Sequence, residues 1–286
     1  MGIILAFIAL VSWGMGDFLI QKSTRVLGNY IALFYISAIG SVVFLPFVYR
    51  DIPSLFLPDH SFLLLMLTSL AILFASLLGL QALKVGKISI IEPIFALEIP
   101  MAALLAAFVI GESISLRQAL LILMIIFGII MVSTKHAAEL NIKIEKGVFY
   151  AILAAILMGS VDFLFGIGSR ETSPFLVNWF ISAFLAIFSL CYLILTSRSN
   201  ELIQCWKKEK KLIFGIGFFD NLAWIAFAYS MLSVPIAIAT SISQSYLAIV
   251  ASLGIILNKE RLRKHQYIGL AVTILGAIAL AYITEE

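Results

Sequence analysis

Apolar stretches of similar length, separated by short polar segments, run along the whole chain. A helix needs about 20 residues to cross the ~30 Å hydrocarbon core of a bilayer. Ten stretches reach about that length: 2–22, 30–49, 61–83, 88–110, 115–134, 147–168, 174–196, 211–232, 235–257 and 264–283. Backbone groups in lipid must find hydrogen bonds within the segment, and barrel strands would be half as long. The pattern therefore predicts an all-α membrane protein with ten transmembrane helices.

The composition agrees with a membrane protein and disfavours several other functions. Hydrophobic residues make up 62% of the 286 residues and charged residues 12%, against about 45–50% and about 25% in soluble proteins. The net charge of +3 does not indicate nucleic-acid binding. Neither the cysteines and histidines nor the glycines have the spacing of a metal or phosphate site. The expected partners are the lipid bilayer and a small-molecule substrate, with no nucleic acid, cofactor, metal or obligate protein partner.

The second half of the sequence repeats the first. Seven residues between positions 2 and 20 recur 145 positions later: Gly2, Ala6, Ala9, Gly14, Asp17, Phe18 and Leu19. A shift of 148 places Glu112, Gln118 and Gly128 on Glu260, Gln266 and Gly276. Internal similarity of this kind indicates duplicated structural units. We expect a five-helix repeat at 1–134, a linker at 135–146 and a second five-helix repeat at 147–286.

An odd number of helices in each repeat determines how the repeats are related. After five crossings, the second repeat enters the membrane from the opposite side. The halves are then inverted and related by a pseudo-two-fold axis in the membrane plane. This architecture builds one site around a central cavity that the two halves can expose to either face. It is typical of transporters more than of enzymes.

The loop charges predict an orientation. Of the 19 lysines and arginines, 16 lie in the odd-numbered loops, and only Arg50, Arg117 and Arg170 lie in even-numbered loops. Positive residues concentrate on the cytoplasmic side of membrane proteins. The odd loops are therefore predicted to be cytoplasmic and both termini extracytoplasmic, in a multi-pass protein of the cell (inner) membrane.

Short motifs add a resemblance to these patterns. Trp13-Gly14 and Asp17 in the first helix, with Gly111-Glu112 followed by Gln118 and Gly128, resemble the EamA-type members of the drug/metabolite transporter superfamily. The resemblance covers the whole chain, although Met158 stands where the first repeat has Trp13. It implies that helices 1–4 and 6–9 enclose a cavity while helices 5 and 10 lie at the periphery. It also implies secondary transport, often export of amino acids or other metabolites.

Acidic residues inside the predicted spans are the main candidates for a functional site. An ionisable side chain at mid-bilayer costs at least about 2.5–3.5 kcal/mol on insertion scales. The spans nevertheless contain five acids and no lysine or arginine at comparable depth: Asp17, Glu92, Glu98, Asp162 and Asp220. These carboxyl groups are either protonated or face a watery cavity and meet a cation. Glu98 and Asp220 lie nearest the midplane.

The remaining acids lead to two further hypotheses. Asp17 and Asp162 are repeat partners predicted at opposite ends of the cavity, where they would suit a pair of gates. Glu92 and Glu98 are about 120° apart on a regular helix, so both face one cavity only if the helix is distorted. Pro93 makes such a distortion plausible, and a tolerated kink is the alternative.

Uncharged polar and aromatic residues complete the candidate set. Gln244, in a helix rich in serine and threonine, is expected to line the cavity, although hydroxyl groups also join helices in bilayers. Asn178 could supply amide contacts. Trp224 could hold an ammonium group by cation–π attraction, and packing inside the bundle is the alternative for this residue.

These observations favour a secondary active transporter of a small polar metabolite: an amino acid, amine or cationic solute. An anion carrier would need basic residues in its cavity, and none is predicted there. Carboxyl groups withdrawn from water hold protons more tightly, which favours exchange of protons for a cation. Export by alternating access is the expected mode. A passive channel or a lipid flippase is the alternative, and an intramembrane enzyme is disfavoured because no catalytic grouping is evident.

Overall fold

The computed structural model describes residues 1–56, 61–85, 94–133, 146–246, 249 and 263–285, and these form ten α-helices. The helices are α1 Gly2–Leu27, α2 Asn29–Val48, α3 Ser61–Val85, α4 Glu98–Ile110, α5 Leu116–Ser133, α6 Lys146–Glu171, α7 Pro174–Leu195, α8 Ser199–Ser230, α9 Ile236–Gln244 and α10 Lys264–Glu285. A 3-10 turn, Ile52–Phe56, follows α2. Each helix corresponds to one predicted span. Glu92, Pro93 and most of the proposed linker lie outside the described residues.

The helices suit a bilayer in length and in surface. Seven of those in the described residues are long and apolar enough to span it, and α4 and α5 are shorter apolar helices. Large apolar side chains such as Val42, Phe108 and Leu195 are exposed on the outside of the bundle. Lipid is the solvent that such a surface requires. The predicted all-α multi-pass fold is confirmed.

The helix pairs reveal the two-fold relation between the repeats. Helix α1 packs against α8 and α9, while its repeat partner α6 packs against α3 and α4, which are the partners of α8 and α9. Helices α2 and α7 pack against each other, and so do α5 and α10, so these pairs lie across the axis. The inverted five-helix repeats predicted from the sequence are therefore present in the fold.

Duplicated glycines lie at equivalent close contacts in the two repeats. A Cβ atom on Gly159 would lie 2.5 Å from the carbonyl oxygen of Glu98, at the start of α4. Its repeat partner, Gly14, approaches Ile249 in the same way, at 2.6 Å. Small residues let membrane helices approach closely. Here they bring α6 against the start of α4, and α1 against Ile249, which follows α9.

Helix α8 bends before it enters the bundle. Glu209 has φ −122° and ψ 31°, outside the helical region, and divides the helix into an amphipathic segment and the predicted span. Leu202 and Trp206 of the first segment pack against the core, whereas Lys207 and Lys208 are exposed. The hydroxyl of Tyr35 donates a hydrogen bond to the carbonyl oxygen of Leu202, at 2.6 Å, and ties this segment to α2.

Candidate functional site

A cavity of about 470 Å³ lies at the centre of the bundle. Its described lining comes from α1–α4 and α6–α9 and includes no residue of α5 or α10. Six of the eight predicted site residues line it: Glu98, Asp162, Asn178, Asp220, Trp224 and Gln244. The side chain of Asp17 and all of Glu92 lie outside the described part of the structure. Roles for these two residues stay predictions.

Glu98 is the first residue of α4 and follows a break in regular helix. Residues 96 and 97 form a turn, and the amide of Ile99 donates to the carbonyl of Ala96 instead of making a regular helical bond. Pro100 lacks the N–H that would normally reach this carbonyl, but a proline in a first turn is tolerated. The interruption places a carboxyl group at a helix N-terminus, where the helix dipole favours negative charge.

Asp162 and Gln244 form a buried polar pair in the cavity wall. Asp162, on α6, is 1% exposed, and Gln244, at the end of α9, is 7% exposed. The side-chain amide of Gln244 lies beside the carboxyl group of Asp162. The pair joins a helix that begins the second repeat to one near its end. Asp162 thus lies in the cavity wall, and its role as one of a pair of gates stays a prediction.

Aromatic rings surround one side of the cavity. Trp224 contacts Trp13 and Phe165 edge to face, with ring centroids 5.1 and 4.9 Å apart. Trp13 also lies 6.1 Å from the ring of Tyr246, just beyond Gln244. Aromatic side chains at these separations attract one another, so packing explains part of their arrangement. Trp224 and Tyr246 are half-buried members of the lining and keep ring surface that a ligand could contact. Trp13 and Phe165 are site residues that sequence reasoning did not select.

The asparagine side chains are largely engaged in structure. Asn178 donates its side-chain N–H to the carbonyl of Pro174, at 2.7 Å. Asn221 donates to the carbonyls of Ile36 and Gly217, at 3.0 and 2.7 Å, and thereby links α8 to α2. Both residues line the cavity.

The cavity is blocked at one end of the bundle and extends toward the other. At the end formed by the α1–α2 turn, its lining reaches Asn29, which is exposed. At the opposite end, formed by the α6–α7 turn, buried side chains of the main core fill the bundle, among them Phe227, Met231 and Ile236. The described structure is therefore closed on the α6–α7 side.

An ion pair links three chain segments at this closed end of the bundle. Arg170, at the end of α6, lies 2.7 Å from Glu112 of the α4–α5 turn. Arg170 also donates to the carbonyls of Met231 and Val234, which follow α8, while Glu112 accepts from the amide of Ile236, the first residue of α9. A cation at carbonyl ends and an anion at amide ends suit the two helix dipoles. We call this arrangement the Arg170–Glu112 latch.

The charge of the cavity limits what it can bind. Three carboxyl groups belong to the described lining, Glu98, Asp162 and Asp220, and no lysine or arginine does. Carboxyl groups of such a lining, when ionised, would favour a cation over an anion. Its volume suits a ligand of modest size.

The comparisons with known proteins identify the family. The sequence model of the EamA-like transporter family matches residues 1–134 and 145–282, nearly the whole chain. The chain belongs to the EamA-like transporter family. It is thus a transmembrane transporter and not an enzyme, as the motifs in the first helix and after Gly111 indicated.

Two similar proteins extend this result. An uncharacterized transporter of Archaeoglobus fulgidus is 23% identical over 290 residues, covering 97% of each chain. A solved crystal structure of a protein described in no further detail superposes with a TM-score of 0.77 at 16% identity, over 99% of this chain and 97% of that one. At this identity the structural likeness shows the EamA-type fold alone.

Proposed function

We propose that this EamA-like transporter is a secondary active carrier of a small amine or other cationic metabolite, amino acids included, which it exports in exchange for protons. The observation that carries the proposal is the central cavity, whose described lining holds three carboxyl groups and no basic side chain. A carboxyl group binds either a proton or a cation, so one site can exchange the two.

The closed end of the cavity supports a carrier over a passive channel. A channel needs a continuous path, whereas the described core fills the bundle on the α6–α7 side. A carrier opens one side at a time, and inverted repeats supply two similar arrangements for this purpose. With the positive loops on the cytoplasmic side, the termini are extracytoplasmic and the described cavity extends toward the cytoplasm. That state is the one in which an exporter would load its substrate.

Reconstitution tests the function directly. Proteoliposomes with a pH-sensitive dye inside are given a pH gradient, and amines or amino acids are added outside. A cationic substrate is expected to move protons across the membrane in the opposite direction, and Asp162→Asn is expected to abolish this movement. Solute flux that does not depend on the gradient would support a channel. A response to organic anions alone would refute the assignment of charge.

A further inference from the structure

The Asp162–Gln244 pair has two hydrogen-bonding atoms without a partner in the described structure. These are Oδ2 of Asp162 and Oε1 of Gln244, both buried. Their residues belong to different helices, α6 and α9, and both line the cavity. Buried polar groups in native proteins are nearly always hydrogen-bonded, so two unpartnered oxygens on residues of a cavity wall are candidate contacts for a ligand.

Both unpartnered atoms are acceptors. Carboxylate and amide oxygens accept hydrogen bonds, and the amide nitrogen of Gln244 already faces Asp162. The complementary ligand must therefore bring donors, one for each of the two oxygens. A protonated primary or secondary amine does this with one nitrogen atom. A quaternary ammonium has the same charge but no N–H, so it would leave both oxygens unpartnered.

The aromatic wall gives a second contact for the same group. Phe165 lies one turn from Asp162 on α6, and its ring touches that of Trp224. Tyr246 lies two residues from Gln244, close to the ring of Trp13. Aromatic faces attract ammonium groups irrespective of how many N–H bonds they carry. The rings therefore provide general affinity for cations, and the two oxygens provide the selection among them.

We propose that Asp162 and Gln244 together form the head-group site of the carrier and that it selects ammonium groups with at least two N–H bonds. Gln244 is the specificity-determining residue, because its oxygen is the second acceptor. The inference rests on the proposed transport of cationic solutes and narrows it to primary and secondary amines, with quaternary ammonium compounds as the rejected class.

A series of four amines with successively fewer N–H bonds, called the ladder below, tests this selectivity on the purified full chain. Phenethylamine and its N-methyl, N,N-dimethyl and N,N,N-trimethyl derivatives are compared by isothermal titration calorimetry. The first two should bind alike, because in its protonated form each carries at least the two N–H bonds that the two oxygens can accept. Each hydrogen bond lost to a charged donor should then weaken binding about tenfold, so the trimethyl probe should bind about 100-fold more weakly.

The variant Gln244→Leu isolates the second acceptor. Two N–H bonds of one nitrogen diverge too widely to use both oxygens of one carboxylate well, so the variant should lose the step between the N-methyl and dimethyl probes. Gln118→Leu makes the same change on α5, outside the described cavity lining, and should leave the spacing of the ladder unchanged. The wild-type ladder needs no variant, so a folding defect in either one does not weaken the test.

The outcomes distinguish a failure of the proposed selection by N–H bonds from a failure of the proposed cation transport. Equal binding of all four probes, within about threefold, would overturn selection by N–H bonds while leaving transport of cations intact. No binding of any amine, together with binding of the anionic analogue 3-phenylpropionate, would overturn the proposed function itself. A ladder that persists in Gln244→Leu would overturn the role of that residue.

Discussion

Breaking the Arg170–Glu112 latch should open the bundle on the α6–α7 side. Glu112→Gln removes the charge that faces Arg170 while keeping an oxygen for the amide of Ile236. The side chains of Arg170 and Glu112 are 31% and 12% exposed, so water screens the pair only in part. Hydrogen bonds to charged groups contribute about 1.5–3 kcal/mol when buried, and the partial exposure of this pair reduces that contribution. A loss of about 1–2 kcal/mol favours the state open on this side by about 5–30-fold.

Thiol labelling measures this shift. Ser182 lines the cavity, and Ser182→Cys is introduced into a chain in which Cys191 and Cys205 are replaced by serine. A membrane-impermeant maleimide is then added from the α6–α7 side. Labelling should be about 5–30-fold faster in Glu112→Gln than in the parent chain, because the label reaches the cavity only when the latch is open.

A second arginine–glutamate pair provides the control. Arg198 and Glu201 also lie 2.7 Å apart, but both side chains are 42% exposed and lie three residues apart, so they link no separate helices. Glu201→Gln should leave the labelling rate unchanged, since such surface pairs contribute little. Equal rates in Glu112→Gln and the parent chain would refute the latch.

Exchanging the two charges tests the role of the helix ends. In the double variant Arg170→Glu with Glu112→Arg, the ion pair is formally restored. The new glutamate would nevertheless face the carbonyls of Met231 and Val234, and the new arginine would face the amide of Ile236. The exchange should therefore not restore slow labelling. Full restoration would mean that the ion pair acts without the helix dipoles.

Three further variants test the packing that supports the site. Gly40→Ala should lower the melting temperature, because the new methyl group overlaps the side chain of Asn221 and crowding of this kind costs about 1–3 kcal/mol; an unchanged melting temperature would contradict this contact. Tyr35→Phe should destabilise the protein by about 1 kcal/mol through loss of the bond to Leu202, and limited proteolysis of the 199–208 segment should accelerate. Gly128→Leu should separate α5 from α10 and reduce thermal stability, while calorimetry should show unchanged binding of amines, since neither helix lines the described cavity.

The fold could be predicted in detail because the bilayer imposes strong rules on sequence. Helix lengths follow from its thickness, and the duplicated residues fix the relation of the two halves. The cavity acids were found for a similar reason. Carboxyl groups such as Asp162 and Asp220 cost free energy inside a membrane, so those that are present usually have a function. Six predicted residues meet at one cavity. Their roles stay predictions until ligands are measured.

The Arg170–Glu112 latch and two residues of the aromatic wall, Trp13 and Phe165, were not predicted, and the reasons differ. Arg170 entered the sequence argument only as a loop charge and Glu112 only as part of a motif, because partners 58 positions apart leave no local pattern. One signal of their importance was available, since both residues have a counterpart in the other repeat: a shift of 145 places Arg170 on Arg25, and a shift of 148 places Glu112 on Glu260. Phe165 gave no signal at all, because phenylalanine is common in membrane helices whether or not it meets a cavity.

Breaks in regular helix lie at equivalent positions in the two repeats, but the side chains beside them differ. This difference explains how symmetric repeats can build an asymmetric site. The turn at residues 96 and 97, before α4, coincides under the 148-residue shift with Gln244 and Ser245, where the described α9 ends. Interrupted helices at equivalent positions are the means by which inverted-repeat carriers expose polar groups near the midplane. The side chains beside the breaks differ, however, since Glu98 corresponds to Tyr246 and Gln244 to Ala96. We therefore expect the duplicated backbone to serve the alternation between two faces, and the side chains that diverged after duplication to determine which solute the cavity accepts.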